Sequence, residues 1–399
     1  MKRVIAFVKK ETVLTVAWIL AVISSFIIPP DPDYVGYIDF KSLCTLWSLM
    51  IVVAGLTKAG LFDRIGAFLL SKTTYVWQLL ALLIFLPFIF AMFITNDVAL
   101  LTFVPFSMHI LKMSGKEKML IPVVAYQTLA ANLGSMLTPI GNPQNIYLFS
   151  LSGMNVDDFI MLMLPYTCLS ALLLMVGIMS VKGKRNKVFD EGNEISVKIE
   201  STVNEATNEK TDNTEKLRVS RNIREDRSTG KQTLVYGILF VLAVLSVAFP
   251  KVIRYPYVVI AVLVVSFVMD RKVLVSIDYA LLLTFVGFFI FTGNLGRIDV
   301  VRNYMISLVK GHEIMAGIIS SQFISNVPAA LLLSEFTTRI SDLIIGVNIG
   351  GLGTLIASMA SLISFKLLAH NYNELKGRYL IYFTAVSIIF LAILLLLKL

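Results

Sequence analysis

Two copies of one polar stretch decide the fold of this chain. Residues 132–145 read Asn-Leu-Gly-Ser-Met-Leu-Thr-Pro-Ile-Gly-Asn-Pro-Gln-Asn, and residues 348–361 read Asn-Ile-Gly-Gly-Leu-Gly-Thr-Leu-Ile-Ala-Ser-Met-Ala-Ser. Each copy lies within a run apolar enough for a membrane helix, yet Pro139 and Pro143 interrupt a helix because they lack a backbone donor. Within hydrocarbon, the freed backbone groups must be satisfied by protein or by a water-filled cavity. We therefore predict a broken transmembrane helix in each half, a feature that marks binding sites in transporters. For one copy alone, a proline kink used in packing is the alternative.

The composition is that of a polytopic membrane protein. Of the 399 residues, 57% are hydrophobic and 15% are charged, whereas a soluble protein carries roughly a quarter charged residues. The net charge of +9 does not indicate nucleic-acid binding, because it lies largely at segment ends and in one loop, where it orients a membrane protein. Cys44 and Cys168 lie in apolar segments without a disulfide or metal-binding pattern, so we interpret them as core residues.

Residues 1–181 form a predicted N-terminal transmembrane repeat. Spans are predicted over residues 11–28, 41–58, 119–150 (the broken helix) and 159–181, with a short amphipathic helix over 61–71. Apolar arms over 77–94 and 98–110 flank the polar tip Thr95-Asn96-Asp97. The second arm rises only about 20 Å, too little to cross a core of about 30 Å. We therefore predict a re-entrant helical hairpin.

Residues 182–232 differ in composition, with many Glu, Lys, Asn, Thr and Ser residues and almost no aromatic ones. This stretch is predicted to be a disordered cytoplasmic linker. Residues 233–399, the predicted C-terminal transmembrane repeat, then present the landmarks of the first half in the same order. The matched landmarks are Asp39 with Asp278, Asp63 with Asp299, Asn96 with Asn326, and the two broken helices.

The number of membrane crossings predicts how the halves are related. Five crossings are predicted between Asp39 and Asp278, because a re-entrant hairpin returns to its own side. An odd number of crossings gives the second repeat the opposite orientation in the membrane. The predicted fold is therefore an all-α polytopic membrane protein with two inverted-topology repeats. Positive residues near the N-terminus, at 112–118 and in the linker place these segments in the cytoplasm. The C-terminus is then predicted to lie outside.

The two hairpin tips and the two broken helices are predicted to meet near the middle of the membrane. Hydroxyl, amide and unwound carbonyl oxygens suit a hard cation such as Na⁺, and half-helix N-termini suit an anionic group. Packing is the alternative role for Ser358 and Ser361, because small polar side chains are common between membrane helices. The predicted substrate and ion site consists of Thr95, Asn96, Asp97, Thr138, Gly141, Asn142, Asn145, Ser325, Asn326, Thr354, Ser358 and Ser361. The Na⁺ candidates among them are Asn96, Asn142, Asn326 and Ser358.

Asp97 breaks the match between the tips, because its counterpart is Val327. An ionisable residue deep in a bilayer is unfavourable by at least ~2.5 kcal/mol, so it usually marks an ion or proton pathway. The alternative is that Asp97 caps a helix beginning at Val98.

The segment Thr95-Asn-Asp-Val-Ala-Leu-Leu-Thr-Phe-Val-Pro105, together with residues 132–145, resembles the ion transporter superfamily. This superfamily includes divalent anion:sodium symporters, citrate transporters, arsenite efflux pumps and one class of Na⁺/H⁺ antiporters. The resemblance covers nearly the whole chain outside the linker and implies two inverted repeats, each with a re-entrant hairpin and an unwound helix. Dicarboxylate symporters carry Ser-Asn-Thr at each tip, where it binds Na⁺ and the substrate carboxylate. Ser325-Asn326 retains two of these residues, whereas Thr95-Asn96-Asp97 is nearer to the tips of arsenite pumps and antiporters.

We therefore predict a secondary active transporter, a multi-pass protein of the inner or plasma membrane, that moves a small anion or carboxylate coupled to Na⁺ or H⁺. Na⁺/H⁺ antiport and arsenite-type metalloid efflux are the alternatives within transport, and a channel or a membrane-embedded enzyme is the alternative of another class. No enzyme motif occurs in the sequence, so we predict no catalytic residue and no cofactor beyond the coupling ion. The expected partners are a small-molecule or inorganic ion substrate and the lipid bilayer, without nucleic acid, and a homodimer is left open.

Overall fold

The computed structural model describes residues 11–70, 73–180 and 215–398, and every regular element within them is a helix. The helices of the first half are α1 Thr12–Ile27, α2 Asp33–Tyr37, α3 Phe40–Lys58, α4 Leu61–Leu70, α5 Val76–Phe90, α6 Asn96–Met113, α7 Leu120–Ser135, α8 Pro143–Ser152 and α9 Val156–Ser180. The helices of the second half are α10 Glu215–Ala248, α11 Tyr255–Met269, α12 Arg271–Ser276, α13 Tyr279–Gly296, α14 Asp299–Val309, α15 Glu313–Ile324, α16 Asn326–Ser334, α17 Ile340–Gly350, α18 Met359–Asn371 and α19 Lys376–Leu395.

Several of these helices are suited to a bilayer. In the described part of the chain, five stretches are long and apolar enough to cross a membrane: α3, residues 156–179 of α9, residues 230–248 of α10, α13, and residues 373–395, which include α19. Large apolar side chains such as Phe26, Met179 and Val268 are exposed on the outer faces of the bundle, where lipid would cover them. The prediction of an all-helical polytopic membrane protein is therefore confirmed.

Two matched helices, α3 and α13, begin in the same way. Asp39 caps α3 by accepting a hydrogen bond from the Ser42 amide, and Asp278 caps α13 by accepting one from the Leu281 amide. Such a carboxylate satisfies one of the free N–H groups of a first helical turn. Each cap follows a short helix, α2 or α12, that the sequence analysis did not predict.

The first arm of each hairpin packs against the first segment of a broken helix at a glycine. A Cβ atom added to Gly134 of α7 would lie 1.9 Å from the carbonyl oxygen of Phe88 in α5. At the matched position of the second half, a Cβ atom added to Gly350 of α17 would lie 2.8 Å from the Cα atom of Ile318 in α15. Only glycine permits so close an approach of two backbones, which places each hairpin tip beside a helix break.

Two predicted boundaries differ from the observed ones. The second arm of the first hairpin was predicted over 98–110, but α6 has 18 residues and rises about 27 Å, so the argument from a short arm is wrong for it. The helix extends through Lys112 because a cation in the last turn is favoured by the helix dipole. The helix α10 begins at Glu215, inside the predicted linker, where Glu, Lys and Arg are good helix formers. Residues 182–214 of that linker lie outside the described residues.

Three ion pairs join helix ends that are distant in sequence. The Lys58 ammonium at the end of α3 pairs with Asp270 after α11, and the Arg297 guanidinium after α13 lies 2.6 Å from Asp31 after α1. These hydrogen bonds hold the pKa of the Asp270 and Asp31 carboxyl groups below their usual range, so both pairs stay charged at neutral pH. The third pair joins Lys398 to Asp342 at 3.1 Å. Each pair therefore places two helix ends at one level of the bundle.

Candidate functional site

Each hairpin tip is joined to the neighbouring helix break by one backbone hydrogen bond. In the first half, the Asn96 amide donates to the Gly141 carbonyl at 3.2 Å. In the second half, the Asn326 amide donates to the Ala357 carbonyl at 3.0 Å. Gly141 and Ala357 occupy matching positions of the two repeated stretches, so the same contact forms twice.

A second contact is repeated at the threonines of the two breaks. The Thr138 hydroxyl donates to the Met92 carbonyl, and the Thr354 hydroxyl donates to the Gln322 carbonyl at 3.4 Å. Both carbonyls lie at the end of the first arm of a hairpin. The Gln322 side chain supports the second break further, because its Nε2 atom donates to the Gly350 and Leu352 carbonyls at 2.9 Å each.

The two halves are joined at their centre by hydrogen bonds that cross from one to the other. Asn132 of α7 accepts a hydrogen bond from the Ser358 hydroxyl at 3.0 Å and donates one to the Ser361 hydroxyl at 3.2 Å. The matched residue Asn348 of α17 accepts from the Asn142 side-chain amide at 3.1 Å and donates to the Asn145 side chain at 2.7 Å. We call these six buried residues the crossed network.

The first hairpin tip is part of the same hydrogen-bonded system. The Asn96 side-chain amide donates to Asn132 Oδ1 at 2.9 Å. The Asn96 and Asn326 side-chain oxygens each accept from the next backbone amide at 3.0 Å. The Asn326 oxygen also accepts from the Ser325 hydroxyl at 3.4 Å. An amide oxygen has two lone pairs, so the Asn96 oxygen retains one for a cation, whereas both lone pairs of the Asn326 oxygen are occupied. Of the Na⁺ candidates at the tips, Asn96 is thus chemically able to contribute an oxygen ligand.

Four helix N-termini lie at the tips and breaks. The helices α6 and α16 begin at the tips, and α8 and α18 begin at the ends of the breaks. Asn142 caps α8, because its side-chain oxygen accepts from the Asn145 amide at 2.9 Å. The positive ends of the helix dipoles favour an anionic group. No cluster of three or more His, Cys, Asp or Glu side chains that could hold a metal ion occurs within the ranges that the structure covers.

Ser325 at the second tip has an unusual backbone. Its φ is 73° and its ψ is 156°, a region that residues other than glycine rarely adopt. Thr95, the matched residue of the first tip, has an ordinary extended conformation with φ of −64° and ψ of 147°. Strained residues persist where the surrounding structure holds them, and they cluster at binding sites.

Asp97 lies half-buried in the first turn of α6. The helix begins at Asn96 with Thr95 at its N-cap, so Asp97 does not cap it, and the capping alternative is wrong. Across residues 11–70, 73–180 and 215–398, no hydrogen bond or ion pair joins its carboxylate to another side chain. Its counterpart Val327 is buried.

The predicted residues therefore lie where the sequence placed them, on two tips and two breaks, and four of them belong to the crossed network. The sequence analysis missed Asn132 and Asn348, which form the centre of that network. The signal for them was present, because each is the first residue of a repeated stretch and identical in both. Gln322 was also missed, and its counterpart Met92 offers no signal.

Similarity to known proteins indicates the family of this chain. The sequence pattern of the family described as "Citrate transporter" matches residues 4–342. The chain is 29% identical over 345 residues to an uncharacterized transporter of Methanocaldococcus jannaschii, covering 86% of this chain and 85% of the relative. It is 27% identical over 356 residues to the inner membrane protein YbiR of Escherichia coli, covering 86% and 84%. A shorter match, 27% identical over 124 residues, links 31% of the chain to 14% of the human P protein. The chain is thus a membrane transporter that belongs to the citrate transporter family.

Proposed function

We propose that the protein is a secondary active transporter of a small anion or carboxylate, coupled to Na⁺ or H⁺. One observation carries this proposal. Each of the two hairpin tips, which bear Asn96 and Asn326, lies beside a helix break, and the crossed network joins the two halves at this place. Helix N-termini at this place favour an anion, while the free lone pair of the Asn96 side-chain oxygen favours a cation. The family is described as a citrate transporter and one of the named relatives as an uncharacterized transporter, which supports transport.

We also propose that the halves are inverted-topology repeats with re-entrant hairpins, in a cell membrane. In this arrangement the chain crosses the membrane so that Lys58 and Asp270 both lie in the cytoplasm, and Asp31 and Arg297 both lie outside. The ion pairs between these residues support this arrangement, because paired groups must lie on the same side. The same arrangement puts Asp342 and Lys398 on one side of the membrane, and these two residues also form an ion pair.

Inversion predicts that matched residues face opposite sides of the membrane. Asp33 of α2 and Lys272 of α12 occupy matching positions, and both are exposed. In a variant without Cys44 and Cys168, we expect Asp33→Cys to react with an impermeant maleimide on intact cells. Lys272→Cys should react only after permeabilisation, and the cysteine-free variant is the control. Labelling of both cysteines from the same side would contradict inversion.

The transport proposal is tested in proteoliposomes with a panel of labelled anions under an imposed Na⁺ or pH gradient. We expect accumulation of at least one anion that collapses with the gradient. If Na⁺ is the coupling ion, a concentration of 100 times its dissociation constant should stabilise the protein by about 2.7 kcal/mol, which raises the melting temperature. Asn96→Ala should reduce this effect, whereas Asn303→Ala, at an exposed position of α14, should not. A melting temperature that does not depend on Na⁺ would exclude Na⁺ as the coupling ion and leave H⁺ in that role.

Na⁺/H⁺ antiport or metalloid efflux is the second candidate, and it is favoured by the Asp97 carboxylate, which has no hydrogen-bond or ion-pair partner among the described residues. A fixed negative charge at a tip repels an anionic substrate unless a cation or proton neutralises it. The same proteoliposomes distinguish the candidates, because an antiporter dissipates a pH gradient when Na⁺ is added without any anion. A channel would instead show downhill flux that does not depend on a driving gradient.

A further inference from the structure

A cavity of about 420 Å³ lies apart from the tips and breaks. Its walls come from the start of α3, the end of α8, the end of α10 and the start of α11. Most of the wall is apolar, with Phe149, Val247 and Pro256 among the lining residues. The hydroxyl-bearing residue Thr45 also lines it and is largely buried. The cavity is therefore suited to an apolar group, with polar atoms along part of its wall.

Two cations lie at the rim of this cavity. Lys41 and Arg254 both line it, and both are exposed. Among residues that the structure describes, no carboxylate forms an ion pair with either of them. The carboxylate nearest in sequence is Asp39, which is bonded to the Ser42 side chain and backbone amide. The cationic charge at the rim is thus available to a ligand.

The surface around the cavity is apolar and aromatic. Phe40, Phe249, Val252 and Tyr257 flank the lining residues and are exposed, with Val252 at 79% of its full exposure. Aromatic and basic side chains together are typical of the boundary between hydrocarbon and headgroups. The ligand best suited to the cavity is therefore amphiphilic, with an anionic head and an apolar tail.

We propose that the cavity binds an anionic phospholipid, whose phosphate lies between Lys41 and Arg254 and whose acyl chain enters the apolar part. A basic pocket between membrane helices is a recognised kind of headgroup site. The lipid would contact Phe149 of α8, the second segment of the first broken helix. It would therefore join α8 to the helices α3, α10 and α11, and its binding would stabilise the folded protein.

The test measures the melting temperature of the full-length protein in detergent against added phosphatidylglycerol, phosphatidylcholine or inorganic phosphate. We expect phosphatidylglycerol alone to raise it, with the bound lipid counted by native mass spectrometry. Lys41→Gln and Arg254→Gln should each weaken the lipid affinity about fivefold, and the double variant roughly 25-fold. Lys251→Gln, in the same loop but outside the cavity, should change the affinity less than about twofold.

Three results would overturn the proposal. An equal effect of phosphatidylcholine would mean that the headgroup charge is not recognised. An equal effect of inorganic phosphate would assign the rim to a free anion and not to a lipid. An equal loss of lipid affinity in Lys251→Gln would mean that the lipid responds to the general surface charge and not to the cavity.

Discussion

Gly134→Ala is expected to destabilise the protein by about 3 kcal/mol or more, although alanine is the better helix former by about 1 kcal/mol. The new methyl group would lie 1.9 Å from the Phe88 carbonyl oxygen, so α7 and α5 must separate. That separation also withdraws Gly141 from the Asn96 amide, which removes the backbone hydrogen bond between tip and break. We therefore expect a lower melting temperature in detergent together with a loss of transport in proteoliposomes.

Gly237→Ala is the matched control for this prediction. Gly237 lies in the helix α10, where an added Cβ atom has no neighbour within 4 Å. This variant should be as stable as the wild type or slightly more stable, since only the helix propensity changes. Gly350→Ala should resemble Gly134→Ala, because its Cβ atom would lie 2.8 Å from the backbone of Ile318. An unchanged melting temperature in Gly134→Ala would contradict the prediction, because it would mean that α5 and α7 separate with little loss of stability.

Asp97→Asn is expected to abolish gradient-driven accumulation while leaving the fold intact. The carboxylate has no protein partner among the described residues, so the amide replaces it without breaking a hydrogen bond or an ion pair. If Asp97 carries the coupling proton or cation, the variant can no longer change its charge during the cycle. With one-to-one coupling, a tenfold ion gradient supports roughly tenfold accumulation, and the variant should reach only equal concentrations on both sides.

Three measurements check this prediction. Accumulation should disappear, the pH dependence of transport should flatten, and exchange of labelled for unlabelled substrate should persist. Asp157→Asn is the control, because Asp157 is also an aspartate in the first turn of a helix, but it is exposed at the surface. Wild-type accumulation and an unchanged pH profile in Asp97→Asn would exclude Asp97 as the coupling group.

The helix breaks were predictable because local chemistry determines them. Pro143 lacks the donor that would continue α7, and it is favoured in the first turn of α8, where it is found. The length of α6 was not predictable from the same rules. The predicted arm ended at Ile110 and residues 112–118 were assigned to the cytoplasm, but a lysine such as Lys112 is equally suited to the last turn of a helix. The short helices α2 and α12 have only 5 and 6 residues, too few for a periodic pattern.

The crossed network could not be predicted from local chemistry. Asn132 and Ser358 are more than 200 residues apart, so their contact depends on how the two halves pack. The repeat indicated that both stretches contribute to one site, but it did not indicate that each asparagine binds the opposite half. A small polar side chain in a membrane helix has many potential partners, and only the packed structure selects among them.

The crossed network also restricts how the sequences of residues 132–145 and 348–361 can change. A change at Asn132 would leave Ser358 and Ser361 without their partner, although both lie in the other copy. Elsewhere, a lipid-facing residue of one half can be replaced without any effect on its counterpart. The two stretches therefore constrain each other's sequences at the positions where a residue of one half is bonded to a residue of the other.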